Sequence, residues 1–146
     1  MRKTRITLML IVVPLLILAS SCESKLEDPV ACYELSIKKE GQVLILTAPY
    51  TVDAGRSITF SNCGKADFYS FFSGTPGHVW ADFNDPSNTT TTGGDTKADG
   101  SINYTYQDPG NYTATLVLTN RKVGASSEYK QLTVNFEIMV TEAEGD

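Results

Sequence analysis

From residue 33 onward, apolar and polar side chains alternate along this chain. The alternation is clearest between residues 112 and 119, where every second side chain is apolar. The apolar positions of this run are Tyr112, Ala114, Leu116 and Leu118. A two-residue period rich in Thr, Tyr and Val is typical of a half-buried strand. No 3.6-residue periodicity appears after residue 22, so we predict an all-β domain with almost no helix.

The same reasoning predicts further strands, separated by turn residues. The predicted strands are residues 33–38, 42–48, 57–61, 102–106, 112–119 and 132–141. Residues 42–48 form a continuous apolar run that ends before Pro49, which indicates either a buried strand or one that switches between sheets. Turns are predicted at 51–55 and 120–127. The polar stretch 85–100 predicts a loop or a ragged edge strand.

The turn before Tyr112 carries a more specific pattern. The spacing Asp108-x-Gly110-x-Tyr112 matches the corner of immunoglobulin-like sandwiches, in which a tyrosine at the start of a strand bonds back to upstream backbone. Pro109 fixes one dihedral of the turn and Gly110 can adopt a positive φ. An ordinary β-hairpin is the alternative. The sandwich is favoured because the rest of the chain keeps the two-residue period.

Two segments together resemble a PKD-like domain: V-D-A-G-R-S-I-T-F at 52–60 and Y-T-Y-Q-D-P-G-N-Y-T-A-T-L-V-L-T-N at 104–120. The resemblance implies a seven-to-eight-stranded immunoglobulin/PKD-like sandwich over residues 32–141, with an acidic tail at 142–146. The W-x-F-G-D-G motif of that family is absent. Its nearest equivalent is 68–74, which is similar to a PKD-like subgroup found on surface lipoproteins, and 80–85 is the alternative equivalent.

The first residues are typical of an export signal. A basic start is followed by an apolar run at 6–19 that is short for a membrane-spanning helix. The run ends in L-A-S-S-C, which resembles the lipobox of bacterial lipoproteins, with Ala19 where that motif usually has Leu. The resemblance implies that 1–21 is a signal peptide, that Cys22 is diacylated, and that 22–31 is a tether. A plain cleaved signal is the alternative.

Charge narrows the range of partners. Of the 12 basic residues three lie in 1–21, and none of the 17 acidic ones does, so residues 22–146 hold 9 basic and 17 acidic residues, a net charge of −8. A chain with this negative charge is a poor candidate for binding nucleic acid or anionic lipid. We therefore expect it to contact a membrane through the lipid anchor alone. The acidic tether resembles the tag of lipoproteins exported to the outer face of the bacterial outer membrane.

Cys32 and Cys63 remain in the exported chain. An even number of cysteines in an oxidising compartment favours a disulfide over a metal site or a reactive thiol. Cys32 precedes the first predicted strand and Cys63 follows the strand at 57–61. If these strands run antiparallel, the two sulfurs lie at neighbouring strand ends. We therefore expect a Cys32–Cys63 bridge.

Six aromatic residues crowd into 68–83. Adjacent residues of a strand point to opposite faces, so Phe71 and Phe72 cannot both enter one core layer. Exposed ring faces there would suit stacking on sugars or packing on a partner protein. The candidates for such a ligand-binding patch are Phe71, Phe72, Trp80 and Phe83. In the alternative interpretation, the loop at 74–88 folds over these rings and covers them.

Motifs for catalysis and metal binding are missing from the sequence. His78 is the single histidine and lies in a predicted turn, and neither a nucleophile elbow nor a zinc or phosphate-loop motif is present. Asp82 and Asp85 are the closest candidates for a catalytic carboxylate pair of the kind that glycosidases use. Calcium needs six to eight oxygen ligands. Asp82, Asn84 and Asp85 offer oxygen atoms, as do Asp95 and Asp99, but Lys97 stands between the last two where a ligand would be needed. We expect no catalytic residues, no metal and no cofactor.

These expectations combine into one functional hypothesis. The protein is expected to be a non-catalytic, lipid-anchored surface module that binds a glycan or a partner protein in a polysaccharide-uptake setting. The alternative is a structural spacer or assembly subunit without a ligand of its own. The uptake setting is implied by the subgroup resemblance alone, because a shared fold does not transfer a ligand.

Overall fold

The computed structural model describes residues 25–83, 94–95, 98–122 and 124–143. The strands are β1 (Tyr33–Lys39), β2 (Gln42–Ile45), β3 (Tyr50–Asp53), β4 (Ser57–Asn62), β5 (Phe68–Phe72), β6 (Gly94–Asp95), β7 (Ile102–Thr105), β8 (Gly110–Lys122) and β9 (Ala125–Thr141). They form a four-stranded sheet in the order β2-β1-β4-β7 and a five-stranded sheet in the order β3-β9-β8-β5-β6. One helical turn, α1 (Trp80–Phe83), follows β5. The prediction of an all-β chain with almost no helix is confirmed for these residues.

The core lies between the two sheets and is built from their alternating apolar positions. Phe60 of the first sheet is fully buried and meets two phenylalanines of the second, with ring centroids 5.2 Å from Phe71 and 5.6 Å from Phe136. Leu116 and Leu118 of β8 are also fully buried. Tilted and edge-on ring pairs at these distances are favourable beyond the area that they bury. The two sheets are therefore held together by a continuous aromatic and aliphatic layer.

The apolar run at 42–48 does not form a buried strand. Glu40 and Gly41 both adopt positive φ, at 52° and 80°, which closes a two-residue hairpin and puts β2 at the edge of the first sheet. All four residues of β2 are exposed. After β2 the chain leaves this sheet and joins the second at Tyr50. The buried alternative is wrong, because among the described residues β2 has a neighbouring strand on one side only and all four of its residues are exposed, whereas the switch between sheets is confirmed.

Residues 51–55 were predicted to form a turn, but the first three of them belong to strand β3. β3 pairs in parallel with β9, from Tyr50↔Ile138 to Asp53↔Thr141, and Val52 is buried in the core. The turn proper is limited to the residues after Asp53. This prediction was wrong because parallel pairing joins segments far apart in sequence, and four residues are too short to show a period.

The hairpin of β8 and β9 is longer than the alternation indicated. Its pairs run from Gly110↔Val140 to Arg121↔Tyr129, with an irregularity between Arg121 and Lys122. The predicted turn at 120–127 was therefore too wide, because polar residues that lie on the outer face of a strand look like turn residues in the sequence. β6 is a two-residue edge strand on β5, as one of the two alternatives for 85–100 anticipated.

The corner before β8 has the predicted hydrogen bond. The Tyr112 hydroxyl donates to the main-chain carbonyl of Asp108 at 3.0 Å. Its ring packs on Tyr106, with centroids 4.6 Å apart, and the Tyr106 hydroxyl donates to the carbonyl of Ser73 at 2.8 Å. The corner thus ties the connection between the sheets to the loop that follows β5.

The predicted disulfide between Cys32 and Cys63 is formed. Residues 25–31, expected as a tether, lie against the domain instead. Val30 and Lys65 exchange two main-chain hydrogen bonds of 2.9 and 2.8 Å, and the Asn120 amide donates to the carbonyl of Glu27 at 3.1 Å. Cys22 lies outside the described residues. Within the described part of the chain, no helix combines the length and hydropathy that crossing a bilayer requires.

Candidate functional site

A tight loop after β5 positions the aromatic side chains of the site. Gly74 adopts a φ of 80°, and a Cβ on it would collide with the main chain of Thr113. The Gly74 N–H donates to the carbonyl of His78 at 3.0 Å, and the His78 N–H donates to that of Thr75 at 2.8 Å. Only glycine combines this backbone conformation with so close an approach to the neighbouring strand. The loop therefore turns back sharply over the second sheet.

His78 closes this loop through its ring. The main-chain N–H of Ser73 donates to Nδ1 of His78 at 2.9 Å, and the Ser73 hydroxyl lies 2.8 Å from the same atom. A main-chain N–H can only donate, so Nδ1 acts as the acceptor and the imidazole is neutral. Burial lowers the pKa of His78 below its ordinary value of 6.5. The neutral ring thus fixes the start of the loop that leads to α1.

Phe71 and Phe72 take opposite faces of β5, as expected. Phe71 lies in the core, whereas Phe72 faces outward and is covered by the loop. The rings of Trp80 and Phe83 both lie 5.1 Å from Phe72, centroid to centroid, and His78 lies at 5.6 Å. Only 1% of each phenylalanine is exposed. This corrects the expectation for Phe71 and Phe72, since neither ring offers a face to a ligand. Of the covering loop in the alternative interpretation, residues 74–83 lie over Phe72, and residues 84–88 lie outside the described residues.

The cover creates a groove beside it on the outer face of the second sheet. We call it the aromatic groove, with a volume of about 510 Å³. Its lining is Phe68, Tyr69, Ser70, Trp80, Phe83, Val117, Thr119, Arg121, Tyr129 and Gln131. Trp80 is half-buried, and exposed fractions are 54% for Phe68, 48% for Phe83 and 58% for Tyr129. Large aromatic side chains with polar groups among them are a common composition for ligand sites.

The polar side chains of the aromatic groove are fixed by their neighbours. The Arg121 guanidinium lies over the ring of Phe68, with its central carbon 5.2 Å from the ring centroid. The Gln131 amide donates to the Thr119 hydroxyl at 3.2 Å across β8 and β9. These contacts leave a cation and a set of hydrogen-bonding groups beside the aromatic rings. Such a surface can stack on a flat apolar face and bond to its polar rim.

The Ser73–His78 contact was not anticipated, because the turn residues around His78 conceal it. It has the atom pair of a nucleophile and a base, but Ser73 is fully buried and no carboxylate is bonded to His78 among the described residues. Its role here is to close the loop. In the same part of the chain, no group of three His, Cys, Asp or Glu side chains could hold a metal ion. Asp85 lies outside the described residues.

Eight of the ten lining residues were not candidates from sequence, among them Phe68, Arg121, Tyr129 and Gln131. Arg121 and Tyr129 fall in the predicted turn at 120–127 or just after it, and in fact form a cross-strand pair. Phe68 belongs to the aromatic cluster already noted, but its face could not be assigned. Extending the two-residue period of β8 by two residues would have put Arg121 on the same face as Thr119 and Val117.

Comparison of the chain with known protein families, curated proteins and solved structures returned no match.

Proposed function

We propose that this protein is a non-catalytic binding module of the bacterial cell surface that holds a glycan in the aromatic groove. The observation that carries this proposal is the exposure of Phe68, Phe83 and Tyr129, with Trp80 beside them, on one sheet face. Outer faces of sheets ordinarily carry polar residues, as the outer positions of β1 (Glu34, Ser36, Lys38) and of β4 (Ser57, Thr59, Ser61) do. Sugar rings have apolar faces that stack on such side chains and hydroxyl rims that bond to Gln131 and Thr119.

We also propose that the sandwich is of the immunoglobulin/PKD-like kind. Support comes from the parallel pairing of β3 with the last strand, from the central β8–β9 hairpin, and from the Tyr112 corner. The connections from β4 to β5 and from β7 to β8 both pass between the sheets. These features occur together in immunoglobulin-like domains, and the resemblance of 52–60 and 104–120 to PKD-like sequences agrees with them.

Anchoring through an acylated Cys22 completes the proposal. The docked segment begins at Lys25, three residues later, and three extended residues span about 10 Å. Acyl chains on one cysteine contribute about 0.8 kcal/mol for each buried methylene, so no spanning helix is needed. The domain would thus be held close to the outer leaflet of the outer membrane, in a polysaccharide-uptake setting.

The test is glycan binding by the full chain in detergent micelles, measured on a glycan array and quantified by calorimetry. We expect at least one bound glycan, with affinity lowered tenfold or more in Trp80→Ala and Tyr129→Ala. Tyr129 is the cleaner change, because it is exposed and does not cover Phe72. Met139→Ala is the matched control, an exposed apolar residue at the other end of the sheet. Absence of binding across the array would contradict the proposal.

A second function, that of an assembly subunit, is supported by β2. Val43, Leu44 and Ile45 are exposed by 59%, 41% and 52% on an unpaired sheet edge, and no charge lies between Gln42 and Ala48. Bare apolar edges readily pair with another strand. If this function is the correct one, Val43→Lys abolishes a complex seen by sedimentation, while the Tyr129→Ala variant retains it.

A further inference from the structure

The charge of the aromatic groove differs from that of the molecule. Among the described residues that line it, Arg121 is the one cation and none is a carboxylate. Residues 22–146 carry an excess of eight acidic residues, so a groove without any is an exception to the surface as a whole. A local positive charge on an otherwise acidic surface favours the binding of an anion at that place.

The guanidinium of Arg121 is positioned to bind an anion. Its guanidinium is held over Phe68, and its main-chain N–H donates to the Asp67 carboxylate at 2.9 Å. No acidic side chain of the described residues forms an ion pair with the guanidinium itself. A guanidinium held above a ring keeps the N–H groups at its edge available for two parallel hydrogen bonds to a carboxylate or sulfate.

Further cations adjoin the Arg121 end of the groove. Arg121 also lines a neighbouring cleft together with Lys25, Lys65 and Lys122. Lys122 forms an ion pair with Glu128 at 3.2 Å. Lys65 lies 3.9 Å from Glu27, and the side chains of Lys65 and Glu27 are each about four-fifths exposed. With Glu27 and Asp67 in that cleft, four cations face two carboxylates. The excess of positive charge therefore continues past Arg121.

We propose that the ligand of the aromatic groove is an acidic saccharide whose carboxylate or sulfate binds the Arg121 guanidinium. This inference rests on the glycan-binding function proposed above and adds the class of glycan. The rings of Trp80, Phe83 and Tyr129 receive the apolar faces of the sugars. Arg121 receives the acidic substituent and sets the direction in which the chain lies.

A second cleft illustrates why charge is informative here. It lies at the opposite end of the domain, and its lining has two cations, Lys39 and Arg56, and two carboxylates, Glu40 and Asp53. Arg56 is bound to Asp53 at 3.1 Å. A cation satisfied in this way offers little to an external anion, and no aromatic residue lines that cleft.

The experiment compares matched glycan pairs that differ only in charge. The full chain in detergent is titrated with oligogalacturonate and its methyl ester, with chondroitin sulfate and its desulfated, carboxyl-reduced form, and with alginate and its propylene glycol ester. We expect an acidic member to bind about five- to tenfold more tightly than its neutral counterpart at low salt, an advantage that falls as salt is raised. Arg121→Gln should remove the advantage, and Lys130→Gln should leave it intact.

The outcomes separate this inference from the function on which it rests. Equal binding of neutral and acidic members, unchanged in Arg121→Gln, overturns the acidic class and leaves glycan binding in place. No binding of any member or of the array overturns both. Arg121→Gln preserves the main-chain bond to Asp67 and most of the side-chain stem, and an unchanged thermal midpoint shows that any loss is not caused by unfolding.

Discussion

At the scale of single residues, His78 is the side chain whose charge state matters most to the site. Nδ1 accepts a hydrogen bond from the main chain of Ser73, and the ring packs against Phe71 and Phe72. If Nδ1 were protonated, its N–H would point at the main-chain N–H of Ser73, and two donors cannot form a hydrogen bond. The loop that carries Trp80 therefore depends on a neutral imidazole.

This dependence predicts a loss of stability in acid. Burial lowers the pKa of His78 in the folded state below 6.5, so the unfolded chain binds more protons as the pH falls through that value. The contribution of His78 is fully present above pH 6.5 and declines below it. Urea unfolding at pH 7.5 and pH 5 should show a larger difference in the wild type than in His78→Asn. Equal differences would show that His78 does not carry the effect.

Tyr112 is the residue on which the corner depends. Its hydroxyl makes one hydrogen bond to the Asp108 carbonyl, and the ring packs on Tyr106 irrespective of the hydroxyl. Tyr112→Phe removes the bond and keeps the packing, so we expect a loss of about 1 kcal/mol in the free energy of unfolding. Tyr129→Phe, at an exposed position, is the control. A value for Tyr112→Phe no larger than for the control would contradict a structural role of the corner.

At the scale of elements, the sequence was sufficient where a strand has one buried face and a regular period. β4 and the middle of β8 are of this kind, with Ile58 and Leu116 fully buried. It was insufficient for β3, which exists through parallel pairing with β9. Of the ten residues that line the aromatic groove, two were predicted. Trp80 and Phe83 were named. Arg121 was hidden in a predicted turn and Tyr129 lies just after it, and their pairing depends on the register of a long hairpin.

The docked segment before β1 is a second element that the sequence did not indicate. Its main support is Asn120, a buried amide whose Nδ2 donates to the Glu27 carbonyl and whose Oδ1 accepts from the Asp67 N–H at 2.9 Å. Lys130 adds an ion pair with Asp28 at 2.6 Å. The chain is thereby held to the β8–β9 hairpin from residue 27 onward.

Asn120→Ala should release this segment. Two hydrogen bonds are lost, one of them to the main chain at Asp67, and we expect a cost of about 1–3 kcal/mol in the free energy of unfolding. Hydrogen exchange at residues 25–31 should accelerate in the variant, while exchange in β4 changes little. Asn103→Ala, at an exposed position, is the control. Unchanged exchange at 25–31 would mean that the disulfide and the Val30–Lys65 pair hold the segment without Asn120.

At the scale of the whole molecule, the docked segment and the aromatic groove lie at the same end of the domain. Arg121 borders both the groove and the cleft that contains Lys25. If Cys22 carries the anchor, the groove opens near the membrane, and the edge strand β2 belongs to the other sheet. The two proposed functions thus use separate surfaces, which one mapping experiment can distinguish.

That experiment is hydrogen exchange of the full chain in detergent with and without the tightest glycan of the array. The aromatic groove predicts slower exchange at 68–70, at 80–83 and across the paired residues 119–121 and 129–131, with no change at 42–45. Protection at 42–45 with none around the groove would contradict the account, because the ligand would then bind the open edge of the first sheet.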